Sequence, residues 1–171
     1  MERASEQVVD RETIFDEKGH IKEITLGMAR KMLEAAVRYS VEIAGFPCSV
    51  AVVDASGSVI AVHRADGAPP GTTDIAIEKA WSAVAMGMPT LMLGRFLDPR
   101  VATTLPLGAH AIGIANRHKG RLCAIHGGIP IREVGTGLGL DIIGGIGTSG
   151  CPTAEDDNTV SQAGFSALYD D

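Results

Sequence analysis

The stretch GGIPIREVGTGLGLDIIGGIGTSGCPTAEDD, residues 127–157, decides the fold. Glycines are scattered densely among apolar β-formers, a pattern that marks tight turns and strands pressed close to another backbone. GIPIRE and LDIIGGIGT read as two short strands joined by a glycine turn, and RLCAI (121–125) ahead of them reads as a third. A helix follows over roughly Ala154–Tyr169, with Glu155, Asp156 and Asp157 in its first turn, where acids complement the helix dipole.

Working outward toward the N-terminus, SVAVVDASGSVIAVHR (49–64) predicts two strands around an Asp-Ala-Ser-Gly turn. SVAVV is almost continuously apolar, so both faces of that strand should be covered. Thr25 caps a preceding helix whose stripe is Leu26, Ala29, Leu33, Ala36, Val37, Ser40 and Ala44, and Gly45 closes it. A second helix spans 72–87, with Ile77, Trp81, Val84 and Met88 expected on its buried stripe. Residues 89–120 hold a short helical segment, TLMLGRFLD, and then breaks at Pro99, Pro106 and Gly108. An apolar connection of that length suits a pocket wall or lid. The expected class is α+β, with helices packed on a five-stranded antiparallel sheet. The expected division is an N-terminal arm over 1–24 and a single domain over 25–171.

Composition excludes several functions. A net charge of −6, with no Lys/Arg cluster, removes the basic face that nucleic-acid binding needs. No apolar run reaches the length of a membrane span, and the charged first twenty residues lack the core of a signal peptide. Cys48, Cys123 and Cys151 form no C-x-x-C pair and read as reduced packing residues, which places the chain in the cytoplasm. With aromatics at 4%, the core must come from Ala, Val, Ile and Leu.

Several motifs carry chemistry. GIGTSG (145–150) spells G-x-G-x-x-G, but the chain ends before a second parallel strand and a ribose-binding acid could follow. What remains is a glycine turn at a helix N-terminus, either presenting amides to an anion or carbonyl or simply turning. Asp74, Glu78 and Ser82 share a helical face, which is either a wet surface or a place where Lys79 or a metal offsets two carboxylates. Glu78 could also act as a general base. His110, His118 and His126 have no zinc-site spacing, so no metal site is expected. His126, just before Gly127-Gly128, is expected to face a cleft, whereas His63 fits a structural role. Arg64 could clamp a carboxylate, with pairing to Asp66 the preferred alternative. Trp81 reads as core.

RADGA (64–68), AIEKAWSAVAMGMPT (76–90), GGIPI (127–131) and IGGIGTSGCPTAEDDNTVSQAG (143–164) together resemble the GlcG/HbpS-like family, which includes the C-terminal domain of PduO-type proteins. The resemblance runs from about Thr25 to Tyr169. It implies a profilin-like or GAF-like fold, a homo-oligomer, and relatives that bind haem or iron. Arg64, Asp66, Gly67, Lys79, Gly127 and Gly128 stand at the family's recurrent positions. So do Pro130, Gly147, Ser149, Gly150 and Asp156. Ala65, His126 and the long arm depart from the pattern. Two functions follow from these residues. The first is a cytoplasmic, oligomeric small-molecule-binding protein with haem or a related cofactor as candidate ligand and a histidine as axial ligand. The second is a cofactor-free tautomerase or isomerase acting on a small oxygenated acid or cyclic carbonyl. There Arg64 holds a carboxylate and His126 or Glu78 moves a proton. Backbone amides at Gly127–Gly128 or Gly147–Gly150 steady the enolate, with Asp66 and Lys79 lining the cleft.

Overall fold

The computed structural model describes residues 21–97, 116–132 and 141–170. Most of the N-terminal arm, much of the expected lid and His110 lie outside the described residues.

Helix α1, Leu26–Arg38, starts where the Thr25 hydroxyl accepts from the Met28 amide at 3.2 Å. It buries Ala29, Met32, Leu33 and Ala36. Its wider-wound extension Tyr39–Ala44 ends at Gly45, whose φ of 78° only glycine adopts cheaply. Strands β1, Ser49–Asp54, and β2, Val59–Arg64, form the expected hairpin. Asp54 organises its turn, its Oδ1 accepting from the Ser56 amide (2.8 Å), the Ser56 hydroxyl (2.7 Å) and the Ser58 amide (2.9 Å). Burial nudges the Asp54 carboxyl up, but these donors outweigh it and hold the group below its ordinary value. Helices α2, Thr72–Met86, and α3, Thr90–Leu97, follow. Strands β3, Gly128–Arg132, and β4, Ile142–Ser149, precede helix α4, Ala154–Ala167, which is capped by Thr153.

The strands form one antiparallel sheet in the order β2-β1-β4-β3. Four strands, rather than five, lie among the described residues. RLCAI is not a strand: it runs irregularly against α2, where the Ser82 hydroxyl accepts from the Cys123 amide (2.8 Å) and donates to the Arg121 carbonyl (3.3 Å). A side-chain hydroxyl thus supplies hydrogen bonds that a sheet ladder would have given.

Helices α1 and α4 cover one face of the sheet, and their core includes Met32, Leu33, Val50, Val52, Ile146 and Val160. Helix α2 covers the other face. β1 is buried along five of its six residues, as expected for a strand covered on both sides.

The GIGTSG stretch is largely the central strand itself. A Cβ on Gly147 would press on the Ala76 carbonyl and come within 2.5 Å of the Ala80 nitrogen, and one on Gly145 would lie 2.9 Å from the Ala80 carbonyl. Here glycine brings helix and sheet backbones together. That close bed explains why α2 buries Ala76, Ala80 and Ala83 instead of Ile77, Trp81, Val84 and Met88, which are half-buried. Trp81 is displaced to the flank, against the Gly57 turn, with the Arg121 guanidinium 4.5 Å over its ring and His118 edge-on at 5.3 Å. Gly147→Ala should therefore destabilise the protein by about 2–4 kcal/mol in urea unfolding, because α2 must lift off the sheet. Gly27→Ala in the open first turn of α1 should be neutral or stabilising by up to about 1 kcal/mol.

Candidate functional site

Arg64 ends β2, Ser49 begins β1, Ser149 ends β4 and Gly128 begins β3, so the register gathers them at one end of the sheet. They lie on four adjacent strands, so Arg64 and Gly128 sit three strand spacings apart, about 14 Å across the sheet.

The centre of this end is a buried polar network. Lys79, 1% exposed, rises from α2; its Nζ lies 2.7 Å from Asp157 Oδ2 on α4 and donates to the Thr148 carbonyl at 2.9 Å. The pair thus joins helices that cover opposite faces of the sheet. Glycine makes the passage. A Cβ on Gly127 (φ 115°) would stand 2.7 Å from the Thr148 carbonyl and 3.2 Å from Nζ, and one on Gly128 would strike Thr90 Cγ2 at 2.6 Å.

Other polar groups around the pair are engaged as well. Asp157 Oδ1 accepts from the Cys151 amide at 2.9 Å. The Ser161 hydroxyl donates to the Gly127 carbonyl at 2.7 Å and meets the Thr148 hydroxyl at 2.7 Å. Thr90 Oγ1 accepts from the Gly128 amide at 2.9 Å.

His126 stands at the rim of this network, one residue before Gly127. Its side chain is 24% exposed, and Nδ1 lies 3.4 Å from Oε1 of the exposed Glu155 in the first turn of α4. Ile125 beside it is 54% exposed. Glu78 is half-buried, and its charge acts on the Cys123 thiol, which burial chiefly pushes up.

The other expected site residues sit elsewhere on this end. Arg64 does not pair with Asp66. Its Nε and Nη2 donate to the Ala68 carbonyl at 3.0 and 2.5 Å, closing the 64–68 loop and leaving Asp66 exposed. A carbonyl reached by two guanidinium donors in a tight loop wins over a carboxylate that points into water. Gly147 is bedded under α2 as described above. Ser149 is buried in register with Ser49, whose hydroxyl meets Thr72 Oγ1 at 2.8 Å. Gly150, at φ 124°, packs on Cys48. The Asp74–Glu78–Ser82 face runs from exposed to fully buried, so it is not uniformly wet. Among the described residues, no three His, Cys, Asp or Glu gather as metal ligands.

Asp157, Thr148, Ser161, Thr90 and Glu155 were not picked out from the sequence. One signal pointed to the first of them: Lys79 falls within the Ala76–Ala80–Ala83 stripe, and a lysine buried among alanines requires an acid.

An antiparallel α+β domain with a helix bedded on a glycine-rich strand, and a buried Lys–Asp pair at the sheet's end, is the class of protein these features define. The chain belongs to the HbpS-like family, described as haem degrading protein HbpS-like, which it matches over residues 24–166. It is 29% identical over 142 residues to an uncharacterized 15.0 kDa protein of the dhaT-dhaS intergenic region of Citrobacter freundii, covering 83% of this chain and 89% of that one. It is also 29% identical over 153 residues to the corrinoid adenosyltransferase PduO of Salmonella typhimurium, covering 87% of this chain but only 41% of PduO. Among solved structures, HbpS of Streptomyces reticuli, as a double mutant, superposes with a TM-score of 0.68 at 28% identity, covering 98% of this chain and 94% of that one. A PduOC:heme complex superposes with a TM-score of 0.69 at 26% identity, covering 85% of this chain and 94% of that one.

Removing one member of the Lys79–Asp157 pair strands the other charge in the interior. Lys79→Met or Asp157→Asn should each cost about 3–5 kcal/mol in urea unfolding followed by circular dichroism. The double variant Lys79→Met/Asp157→Leu should recover much of that loss, giving a coupling of more than about 1 kcal/mol in the double-mutant cycle.

Proposed function

We propose that the chain is a small-molecule-binding protein whose ligand is haem or a related cofactor, held at the sheet end that carries His126. The observation that carries this reading is the state of the His126 ring. Glu155 lies against Nδ1, and no described residue engages Nε2. A carboxylate beside one ring nitrogen favours the tautomer that leaves the other open to a metal, an arrangement common among metal-binding histidines. The exposed Ile125 beside the ring adds apolar surface of the kind a flat macrocycle covers. These groups fit haem: one imidazole donor, a bracing acid and an apolar neighbour. Bound haem would supply an iron that accepts an imidazole nitrogen. The solved PduOC:heme complex, with the same fold, lends support.

In this reading Lys79, Gly127 and Gly128 build the floor that fixes His126, while Arg64 and Asp66 shape the neighbouring loop. Self-association belongs to the same proposal. Val41, Ile43 and Phe46 cluster at the end of α1, 49%, 70% and 46% exposed, an apolar surface suited to a second copy. Cytoplasmic residence is part of it too, supported by three free cysteines; no described helix is long and apolar enough to cross a membrane. The proton-transfer alternative has less support with His126 as the proton carrier, since the sheet order holds the strand of Arg64 three positions from the one His126 precedes.

Titrating the purified protein with hemin should give a saturable Soret band at one haem per chain. His126→Ala should shift that band and weaken binding about tenfold or more, and Glu155→Gln should weaken it less. Absorbance that rises without saturation, and equally in His126→Ala, overturns the reading.

A further inference from the structure

Two of the three cysteines meet at the same end of the sheet, on the α1–α4 face. The β1–β4 register pairs Ser49 with Ser149, which sets Cys48 against the Gly150–Cys151 step. Gly150 brings the chains together there: a Cβ on it would lie 3.1 Å from Cys48 Cα. One step beyond the Ser49–Ser149 pair the register sets Cys48 opposite Gly150, and Cys151 is the next residue along, within the neighbourhood a disulfide can bridge. Cys48 is fully buried, and the half-buried Cys151 packs against the same apolar cluster. The Cys151 backbone is fixed by its amide's bond to Asp157 Oδ1.

We propose that Cys48 and Cys151 are a redox-active dithiol that closes to an intramolecular disulfide on reaction with a hydroperoxide, independently of any cofactor.

The two thiols act on each other: the neighbouring Cys151, with Ser40 and Lys79, lowers Cys48 against the burial that raises it, while Cys48, burial and the Asp157 charge raise Cys151, so the pair gives up its first proton as a unit. A shift of the remaining proton between the two sulfurs presents the charge on Cys151, the sulfur nearer solvent. Its thiolate attacks the terminal peroxide oxygen; an S–O bond forms, the O–O bond breaks, and water or an alcohol leaves with a proton. Cys48 then attacks the sulfenic sulfur of Cys151, the S–S bond forms, and the hydroxyl leaves as water. With hydrogen peroxide the sum is two thiols plus one peroxide giving one disulfide and two waters. Cys123 has no part in this: it is docked on α2 through Ser82, and its thiol is pushed up chiefly by burial.

The test uses the full chain, reduced and then treated with stoichiometric hydrogen peroxide. Intact mass should fall by about 2 Da, the mass of the two thiol hydrogens, and one thiol, Cys123, should remain open to alkylation in denaturant. Peptide mapping should find Cys48 joined to Cys151, with dithiothreitol reversing the link. The oxidised form should melt roughly 5–15 °C higher, because the bridge closes a long loop in the unfolded chain. Cys151→Ser should abolish the mass loss, and Cys123→Ser should keep it. Three alkylatable thiols after treatment, a bridge containing Cys123, or oxygen addition at Cys48 or Cys151 in place of the bridge overturns the proposal. The wild-type mapping decides the matter even if a variant fails to fold.

Discussion

The Lys79–Asp157 ion pair is the constraint around which one end of this domain is built. A lysine on the helix covering one face of the sheet and an aspartate on the helix covering the other meet at 2.7 Å, both almost wholly removed from water. Desolvating two such ions costs several kcal/mol each, and their attraction repays this only when every other polar contact is supplied. The Thr148 carbonyl and the Cys151 amide supply those contacts, and both belong to the segment that ends the central strand. The pair therefore contributes more to geometry than to net stability. It fixes the angle at which α4 leaves the strand and holds the 126–128 corner in place between the helices.

Glycine is the second half of that constraint. Side chains at Gly127 or Gly128 would collide with the pair's own surroundings, and one at Gly147 would lift the helix that carries Lys79. The glycines of 127–150 thus act mainly through what they allow others to approach. This explains how one stretch could be read in two ways. Glycine between apolar β-formers signals close backbone approach, but sequence alone does not say whether the approaching group is a ligand phosphate or a neighbouring helix. The alanines at 76, 80 and 83 answer the question, because a helix whose contact positions over the glycines carry only methyl groups can lie that close.

Much of the fold was legible for this reason, and the misreadings share a cause. The Thr25 cap, the Gly45 stop, the 49–64 hairpin and the doubly covered β1 follow from local chemistry, and the structure holds each of them. The Ile77–Trp81–Val84 stripe and the RLCAI strand failed because tertiary contacts override local pattern. A glycine-lined sheet rewards small residues over large ones, and Ser82 satisfied backbone groups that would otherwise have sought a strand. Of the site, His126 and Lys79 were visible as residues. Their partners were not, since Asp157 and Glu155 looked like dipole-complementing acids at a helix start. Two of those three acids reach back across the fold, a distinction that only the register of β4 and α4 makes.

The same geometry favours the rim of the sheet for the proposed ligand site. The Ala–Gly interface leaves no space for a guest beneath α2, and the polar groups at the sheet's end are matched to one another. A hollow of about 350 Å³ lined by Lys22, Asp54, Ser56 and Ile143 lies at the opposite end, but the Asp54 carboxylate there is committed to its own turn. What stays available beside the buried network is a histidine with Glu155 3.4 Å from its Nδ1, and a half-buried cysteine near a fully buried one. Both depend on the network for position: His126 precedes the left-handed turn at Gly127, and Cys151 is anchored to Asp157. Asp157 therefore links the two. A change that moved its carboxylate would disturb the imidazole through Gly127 and the dithiol through the Cys151 amide, while the Ala–Gly bed farther along the strand held the sheet and helices together.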